Sequence, residues 1–453
     1  MIDETAFAAR LSTVLARIAP GELLALNRLS GGANMESWSI DWGMAGAPVG
    51  YILRRAPSAE WMEGRPFGLE DEAALVRAAR AGGVLAPQVV GELTPADDLG
   101  QGYIMLRVEA AVNPAVILAE AAPTLIDDIA REMARVHALP MDGIPAAIPL
   151  MDTATALAEL KARFISYGAD RPIIALALRW LEEHLPAPVA PSLVHGDFRL
   201  GNIMATPNGL AAVLDWELAH RGDAHEDLAF GCMTVWRFGQ IDRPAFGLSD
   251  LDRYFAAYEA AGGQSVDRAR FAFWLVYRTT WWALGCLQMG EFWRSGVDRS
   301  FERTVISRRT SENELDLLML LEGEASAEDQ AAPLPPSAPT MPEARGETSA
   351  AEILAAMSDW MNSDLKPKAS GRDKFMVVMA MNALGMVRRE LMQPAIATDK
   401  ALADALLAGD TSLATPGLLP RLRRMALDKL ANDVPKYAAL AKARTLWERP
   451  TAE

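Results

Sequence analysis

Apolar positions recur at helical spacing over residues 5–18, and Pro20-Gly21 stops the run. Residues 23–29, 35–42 and 49–55 then read as three strands, the first two joined by a tight turn at Ser30-Gly31-Gly32-Ala33-Asn34. Helical spacing returns over 69–81 behind the acidic start Glu70-Asp71-Glu72, and 87–92 and 102–108 read as two further strands. Beyond residue 123 the pattern is mostly helical, over 123–139, 154–167, 173–185, 251–261, 268–289 and 301–321. One short strand-like run, 209–214, lies in a polar stretch between these helices.

Periodicity is lost over 323–348, where Ala332-Pro333-Leu334-Pro335-Pro336-Ser337-Ala338-Pro339 predicts an extended linker. After it, 351–361, 373–393, 401–407, 418–432 and 435–446 predict a bundle of four or five helices, punctuated by Pro394, Gly409-Asp410 and Pro416-Gly417. No catalytic constellation is visible there. Arg388-Arg389-Glu390 and Arg421-Leu422-Arg423-Arg424 read as solvated faces, with a docking surface as the sharper alternative.

Composition narrows the classes. A chain of 453 residues is long enough for two or three domains, and its formal net charge of −15 is the reverse of the basic face that nucleic acid requires. The most apolar long run, 271–289, is broken by Arg278, Thr279, Thr280 and Gln288 and reads as a buried helix rather than a membrane span. The two cysteines, Cys232 and Cys286, sit in apolar surroundings, which fits a reducing cytoplasm better than a disulfide framework. Residues 1–5 show neither a basic region nor a signal-like apolar run, the same expectation.

The chemistry concentrates in Leu193-Val194-His195-Gly196-Asp197-Phe198-Arg199-Leu200-Gly201-Asn202 and, at the end of the short strand, Val213-Leu214-Asp215-Trp216-Glu217. Phosphoryl transfer from a nucleotide needs a carboxylate that orients and deprotonates the acceptor hydroxyl, plus oxygen ligands for Mg²⁺. Asp197 is the candidate base; Asn202 and Asp215 are the candidate metal ligands. The glycine turn upstream, through Ser30, Gly31, Gly32 and Asn34, would let backbone N–H groups approach phosphate oxygens. Zinc chemistry finds no support: there are five histidines and no H-E-x-x-H or H-x-H spacing.

These residues resemble the catalytic loop and metal-binding Asp of aminoglycoside phosphotransferase and choline kinase-like enzymes. His195-Gly196-Asp197 with Asn202 matches that family's H-G-D-x-x-x-x-N. Leu214-Asp215-Trp216-Glu217 matches its I-D-W-E, and Gly222-Asp223-Ala224-His225-Glu226-Asp227-Leu228-Ala229 its G-D-P-x-x-D-L-A, with Ala224 in place of Pro. The resemblance spans roughly residues 20–320. It implies an α+β, two-lobed protein-kinase-like fold, with an antiparallel sheet lobe over 1–108 and a helical lobe over 109–322. A linker (323–348) and a separate all-α bundle (349–453) would follow.

The resemblance also implies ATP or GTP with Mg²⁺ as cofactors and a small-molecule hydroxyl as acceptor. Arg54 stands at the third-strand position where the family carries Lys. Glu72 is the carboxylate expected to pair with it, with Glu70 as the neighbour left open. Met105 and Arg107 fall in the segment expected to meet the base. Arg-containing third strands resemble the branch found beside, or fused to, acyl-CoA dehydrogenases, which implies a hydroxyacyl-CoA as one acceptor and an amino alcohol or aminoglycoside-like molecule as another. The C-terminal half resembles small helical domains of unknown function attached to such kinases; self-association or recruitment of a protein partner would suit it. His137 is expected to be structural, and Asp223 and Asp227 to support the catalytic loop. The rival expectation is a non-catalytic pseudokinase or scaffold, for which Arg54 in place of Lys is the main support.

Overall fold

The computed structural model describes residues 4–29, 35–44, 46–342 and 345–448. The turn residues Ser30, Gly31, Gly32 and Asn34 therefore lie outside the described residues. Helix α1 (Glu4–Ile18) leads into strands β1 (Glu22–Arg28), β2 (Glu36–Met44) and β3 (Ala47–Ala56). Helix α2 (Leu69–Ala81) and strands β4 (Val89–Glu92) and β5 (Gln101–Leu106) complete the first lobe as a five-stranded sheet in the order β1-β2-β3-β5-β4. The four neighbouring pairs are all antiparallel.

Alternation along the strands gives this sheet two unlike faces. Trp38, Ile40, Trp42, Tyr51, Leu53 and Ile104 pack on Phe7, Leu11, Val14 and Leu15 of α1. The opposite face carries Ser39, Asp41, Ile52, Arg54, Tyr103 and Met105, as the pairings Ser39↔Ile52, Ile52↔Met105 and Arg54↔Tyr103 require. Helix α1 thus buries the apolar face and leaves the polar one turned toward the second lobe.

That lobe contains α3 (Pro114–Glu120), α4 (Leu125–His137), α5 (Thr153–Ser166) and α6 (Pro172–Glu183), then a strand-rich insert of β6 (Ser192–Val194), β7 (Ile203–Thr206), β8 (Gly209–Val213) and β9 (His220–Gly222). Strand β6 pairs with β9, and β7 with β8. Helices α7 (His225–Phe230), α8 (Leu251–Ala260), α9 (Arg268–Ser295), α10 (Phe301–Ile306) and α11 (Thr310–Leu321) follow. The 301–321 run is not one helix: a 3₁₀ turn at Ser307–Arg309 divides α10 from α11. Among the described residues, no helix is long and apolar enough to cross a membrane. Cys232 and Cys286 are free and buried.

The linker carries structure of its own. Helix α12 (Ala327–Ala331) is capped by Ser326, and the Asp329 carboxylate accepts a bifurcated hydrogen bond from Gly417 N, at 3.0 and 2.9 Å. Helices α13 (Ala350–Trp360), α14 (Gly371–Met392), α15 (Lys400–Ala408), α16 (Leu418–Asp433) and α17 (Ala438–Trp447) form the C-terminal part. Leu406, Leu419, Leu422, Leu427 and Leu440 belong to the same contiguous core as the helices of the second lobe. Nor is Arg423 on a solvated face: it is 5% exposed, donates to Glu322 Oε2 at 3.0 and 2.7 Å, and lies over the Trp447 ring. Arg389 donates to Asn432 O and Glu390 pairs with Arg308. These charges dock the C-terminal helices, because an Arg keeps its charge when buried and needs a carboxylate or carbonyl there.

Candidate active site

Strand β6 delivers His195, Gly196 and Asp197 into a tight bend. Gly196 has φ +80°, and a Cβ there would sit 2.3 Å from Leu218 O, so the bend requires glycine. The bend is held from below by Asp227 on α7. Its carboxylate accepts from His195 N at 2.6 Å and Gly196 N at 2.9 Å, with His137 Nε2 at 3.2 Å. The His137 tautomer with its proton on Nε2 also lets Nδ1 accept from Tyr258 OH at 2.8 Å. Burial would raise the Asp227 carboxyl, but the His137 and backbone hydrogen bonds hold it below its usual range. His137 is thus structural, as expected, and Asp227 supports the loop.

Asp223 does something else. It accepts from His225 N, Arg270 and Trp274, and so fastens the start of α7 to α9 rather than to the loop. His195 is held in one orientation: its Nε2 bonds Leu214 O at 3.0 Å, and its Nδ1 accepts from Asp197 N at 3.3 Å. Burial lowers its pKa, so the ring is neutral and hinges the loop to the chain before Asp215.

The Asp197 carboxylate accepts from Asn202 Nδ2 at 2.5 Å and from Arg199 Nε at 2.8 Å. Burial pushes its carboxyl up to about 6, with Asp215 adding and Arg199 opposing. The Asn202 amide also donates to Asp197 O at 2.9 Å, which spends both Nδ2 donors and leaves Oδ1 as the acceptor. Leu214 N donates to Asn202 O at 2.8 Å, tying the second candidate ligand, Asp215, to the first through one backbone bond. Asp215 itself has φ +65°, a left-handed conformation that Asp tolerates better than most residues. The strand-end bend that aims it is a strained position of the kind found at functional sites.

Arg54 reaches this loop from β3. Its Nε lies 3.0 Å from Glu72 Oε1, and its Nη2 lies 2.7 Å from both Asp215 Oδ1 and Glu217 Oε2. Glu72, not Glu70, is the partner: Glu72 is 1% exposed and bonded by Tyr103 OH at 2.9 Å, whereas Glu70 is exposed. Burial lifts the Glu72 carboxyl; Arg54 opposes that, and Asp215 and Glu217 add to it. A second cation, Arg65, meets Glu217 Oε2 at 2.6 Å. The cluster therefore brings three carboxylates against two guanidinium groups. Glu72 Oε2 is buried without a hydrogen-bond partner among the described residues.

Met105 packs with Met35, Leu69 and Tyr103 on the same sheet face as Arg54. Arg107 N donates to Gly50 O at 2.9 Å, so this N–H is already engaged. The Arg107 side chain bridges Asp41 (2.7 Å), Ser39 (3.1 Å) and Glu109 (2.7 Å) across the mouth of that face. On the other side of Asp197, the Arg199 guanidinium lies 4.4 Å over Trp236, which packs against Trp282.

The donor set suits a hard divalent ion. Asn202 Oδ1 and the Asp215 carboxylate are oxygen donors on one tied bend, and an ion such as Mg²⁺ would complete its shell there from water and phosphate rather than from a protein cage. Among the described residues no three His, Cys, Asp or Glu side chains gather as such a cage. Arg199, Arg65 and the role of Glu217 were missed by sequence reasoning. Arg199 lies two residues from Asp197, which was a usable signal. Arg65 sits in an irregular segment with no pattern to mark it.

Comparisons with known proteins bear on the family and the fold. Residues 26–274 match the model of a phosphotransferase enzyme family, APH. A solved structure of a candidate aminoglycoside phosphotransferase from Ralstonia eutropha JMP134 superposes with a TM-score of 0.56 at 21% identity, over 71% of this chain and 99% of that one. A thermostable mutant of aminoglycoside phosphotransferase APH(4)-Ia, in ternary complex with AMP-PNP and hygromycin B, superposes with a TM-score of 0.50 at 17% identity, over 70% of this chain and 99% of that one. At these identities the likeness is one of fold.

Among curated proteins, mouse acyl-CoA dehydrogenase family member 10 is 35% identical over 98 residues, 19% of this chain and 9% of that protein. Acyl-CoA dehydrogenase family member 11 of Pongo abelii is 26% identical over 202 residues, 41% of this chain and 25% of that protein. The chain thus spans a quarter or less of the length of these relatives. The family match covers more than half of the chain and contains the whole Asp197–Asn202–Asp215 segment: this chain belongs to the phosphotransferase enzyme family.

Proposed function

We propose that the protein transfers the γ-phosphoryl group of ATP, or GTP, to a hydroxyl of a small molecule, with Mg²⁺ as cofactor. The observation that carries this reading is the part-buried Asp197, fixed by Asn202 and Arg199 and tied through Asn202 and Leu214 to Asp215. Mg²⁺, held by Asn202 and Asp215, would neutralise charge on the phosphates. Asp197 accepts the hydroxyl hydrogen bond and takes its proton as the oxygen attacks; a carboxyl near 6 is ionised at neutral pH yet basic enough to serve. Asp227 keeps the loop rigid, so that Asp197 does not drift from the reacting oxygen. Arg54 is aimed at the phosphates by Glu72 and Glu217. The glycine turn, Met105 and Arg107 form the remainder of the proposed nucleotide site.

For the acceptor, two features favour a neutral or anionic molecule over a polycation. Arg199 stands beside the base, and Trp236 and Trp282 wall the space next to it. The partial matches to proteins named as acyl-CoA dehydrogenase family members support a hydroxyacyl-CoA. An amino-alcohol or aminoglycoside-like acceptor is the second choice. We infer a cytoplasmic setting, consistent with two unpaired buried cysteines.

The test is nucleotide turnover in the presence of hydroxyacyl-CoAs, sugars, amino alcohols and aminoglycosides, alongside calorimetry with Mg²⁺. Absence of nucleotide binding, or binding unchanged by Asp215→Ala, contradicts the proposal. One observation favours the pseudokinase reading: Arg54 lies against the proposed metal ligand Asp215. A phosphorylated acceptor formed by the wild type and not by Asp197→Ala excludes it.

A further inference from the structure

Arg54 neutralises the proposed metal ligand Asp215. Its Nη2 lies 2.7 Å from Asp215 Oδ1 and 2.7 Å from Glu217 Oε2, while its Nε lies 3.0 Å from Glu72 Oε1. The Arg54 side chain is 12% exposed, so these contacts are poorly screened by water. Burial works against its charge, but Glu72, Asp215 and Glu217 outweigh burial and hold the guanidinium ionised. The three acids differ in what else they hold. Glu217 also pairs with Arg65 at 2.6 Å, and Glu72 accepts from Tyr103 OH at 2.9 Å. Among the described residues, Asp215 has no cation other than Arg54 within ion-pair distance.

We propose that Arg54 is a tethered stand-in for the metal ion: without nucleotide it neutralises Asp215 and keeps a divalent ion off, and phosphate draws its Nη2 away, so that ion and nucleotide bind together. This role rests on the proposed function in one respect, the assignment of Asn202 and Asp215 as the oxygen donors to the ion. A divalent ion on Asp215 Oδ1 would face a guanidinium on the same oxygen, and like charges repel strongly in a poorly screened site. Phosphate oxygens offer the guanidinium another anion to pair with. The contact of Nε with Glu72 keeps the side chain in the cleft while Nη2 exchanges partners. A guanidinium can do this because separate nitrogens meet Glu72 and the two loop acids; a Lys ammonium has one nitrogen to divide among them. The coupling is reciprocal: the factor by which nucleotide raises ion affinity is the factor by which the ion raises nucleotide affinity.

The test is the binding of Mn²⁺, an ion that favours the same oxygen donors, to the full chain without nucleotide, with free Mn²⁺ counted by electron paramagnetic resonance. Arg54→Met is expected to bind Mn²⁺ about tenfold or more tightly than wild type, and Arg54→Met/Asp215→Ala to lose the gain. Because Arg54→Met strands the buried Glu72, Arg54→Met/Glu72→Gln is measured beside it. That variant removes the stranded charge and is expected to keep both the gain and the wild-type circular dichroism. In wild type, AMP-PNP is expected to raise Mn²⁺ affinity, and Mn²⁺ that of AMP-PNP, by one common factor that shrinks in Arg54→Met. Wild type that binds Mn²⁺ equally well with and without AMP-PNP overturns the proposal, whatever the variants do. Equal Mn²⁺ affinity in wild type and in folded Arg54→Met/Glu72→Gln overturns it too, as does a gain that survives Asp215→Ala. Failure of the proposed function looks different: the gain appears, but no acceptor is phosphorylated. Mg²⁺-dependent turnover without the gain removes the role of Arg54 alone.

Discussion

The catalytic segment lies within the second lobe and the C-terminal helices pack against that lobe, and different forces hold them. From His195 to Asp227 the chain is fixed by directed bonds to buried charges: two backbone N–H groups on Asp227, an amide and a guanidinium on Asp197, three carboxylates on Arg54. Helices α15 to α17 are fixed by leucines that join the common core, with a few ionic clamps such as Arg423 on Glu322. Directed bonds locate atoms to fractions of an ångström, which phosphoryl transfer requires. Apolar burial supplies stability without dictating where any one atom lies. Disturbing the first region should therefore change rate at modest cost in stability, and disturbing the second should do the reverse.

Among the residues that support the loop without meeting the substrate, the largest effect is expected at Asp227. Asp227→Asn leaves the reacting groups in place but weakens the anchor beneath the loop, and kcat should fall about 100-fold while nucleotide affinity changes little. Steady-state kinetics with calorimetry separates the two. If kcat holds, the loop does not depend on that anchor.

A pH profile sharpens the comparison further. The Asp197 carboxyl is raised to about 6, so it is protonated below that pH and cannot accept the hydroxyl proton. The kcat limb should fall about tenfold per pH unit below about 6, while the contribution of this carboxyl to stability rises over the same window, because the folded state takes up its proton before the unfolded one does. A limb near the ordinary carboxylate value would remove Asp197 from this role.

Glu217→Gln should weaken Mg-nucleotide binding about tenfold, the scale of one charge-assisted hydrogen bond, because Arg54 loses one of the two groups that aim its Nη2. The effect should appear in KM for the nucleotide more than in kcat. Arg423→Ala is the converse case. It leaves Glu322 with only the hydrogen bond from Trp447 Nε1 and should cost about 3 kcal/mol of stability, read by denaturant unfolding, with kcat/KM unchanged below the melting transition. A rate change as large as that of Asp227→Asn would erase the distinction between the regions.

The same contrast explains what the sequence made legible. The bend with Asp197, Asn202 and Asp215 could be read because its spacing is local and its residue types are tied to one chemistry. The helices and strands could be read because their periodicity is local too. What could not be read depends on distant chain segments meeting. Arg65 and Glu217 are 152 positions apart and meet only once α2 docks. Arg423 looks like part of a solvated basic run until Glu322 and Trp447 enclose it. Helix α3 escaped notice because it is short and begins at Pro114, and α12 because it lies beside a proline-rich stretch. The choice between Glu70 and Glu72 was open in sequence, since both sit in the first turn of α2, and burial decided it.

The most direct test of the central claim compares wild type and Asp197→Ala in two measurements on the same preparation: Mg²⁺-dependent nucleotide affinity by calorimetry, and phosphoryl transfer to an accepted hydroxyl. The account predicts affinity within a few-fold of wild type and turnover reduced about 10³-fold, the range of a general base. Equal turnover in the variant, or loss of nucleotide binding in step with turnover, would contradict it.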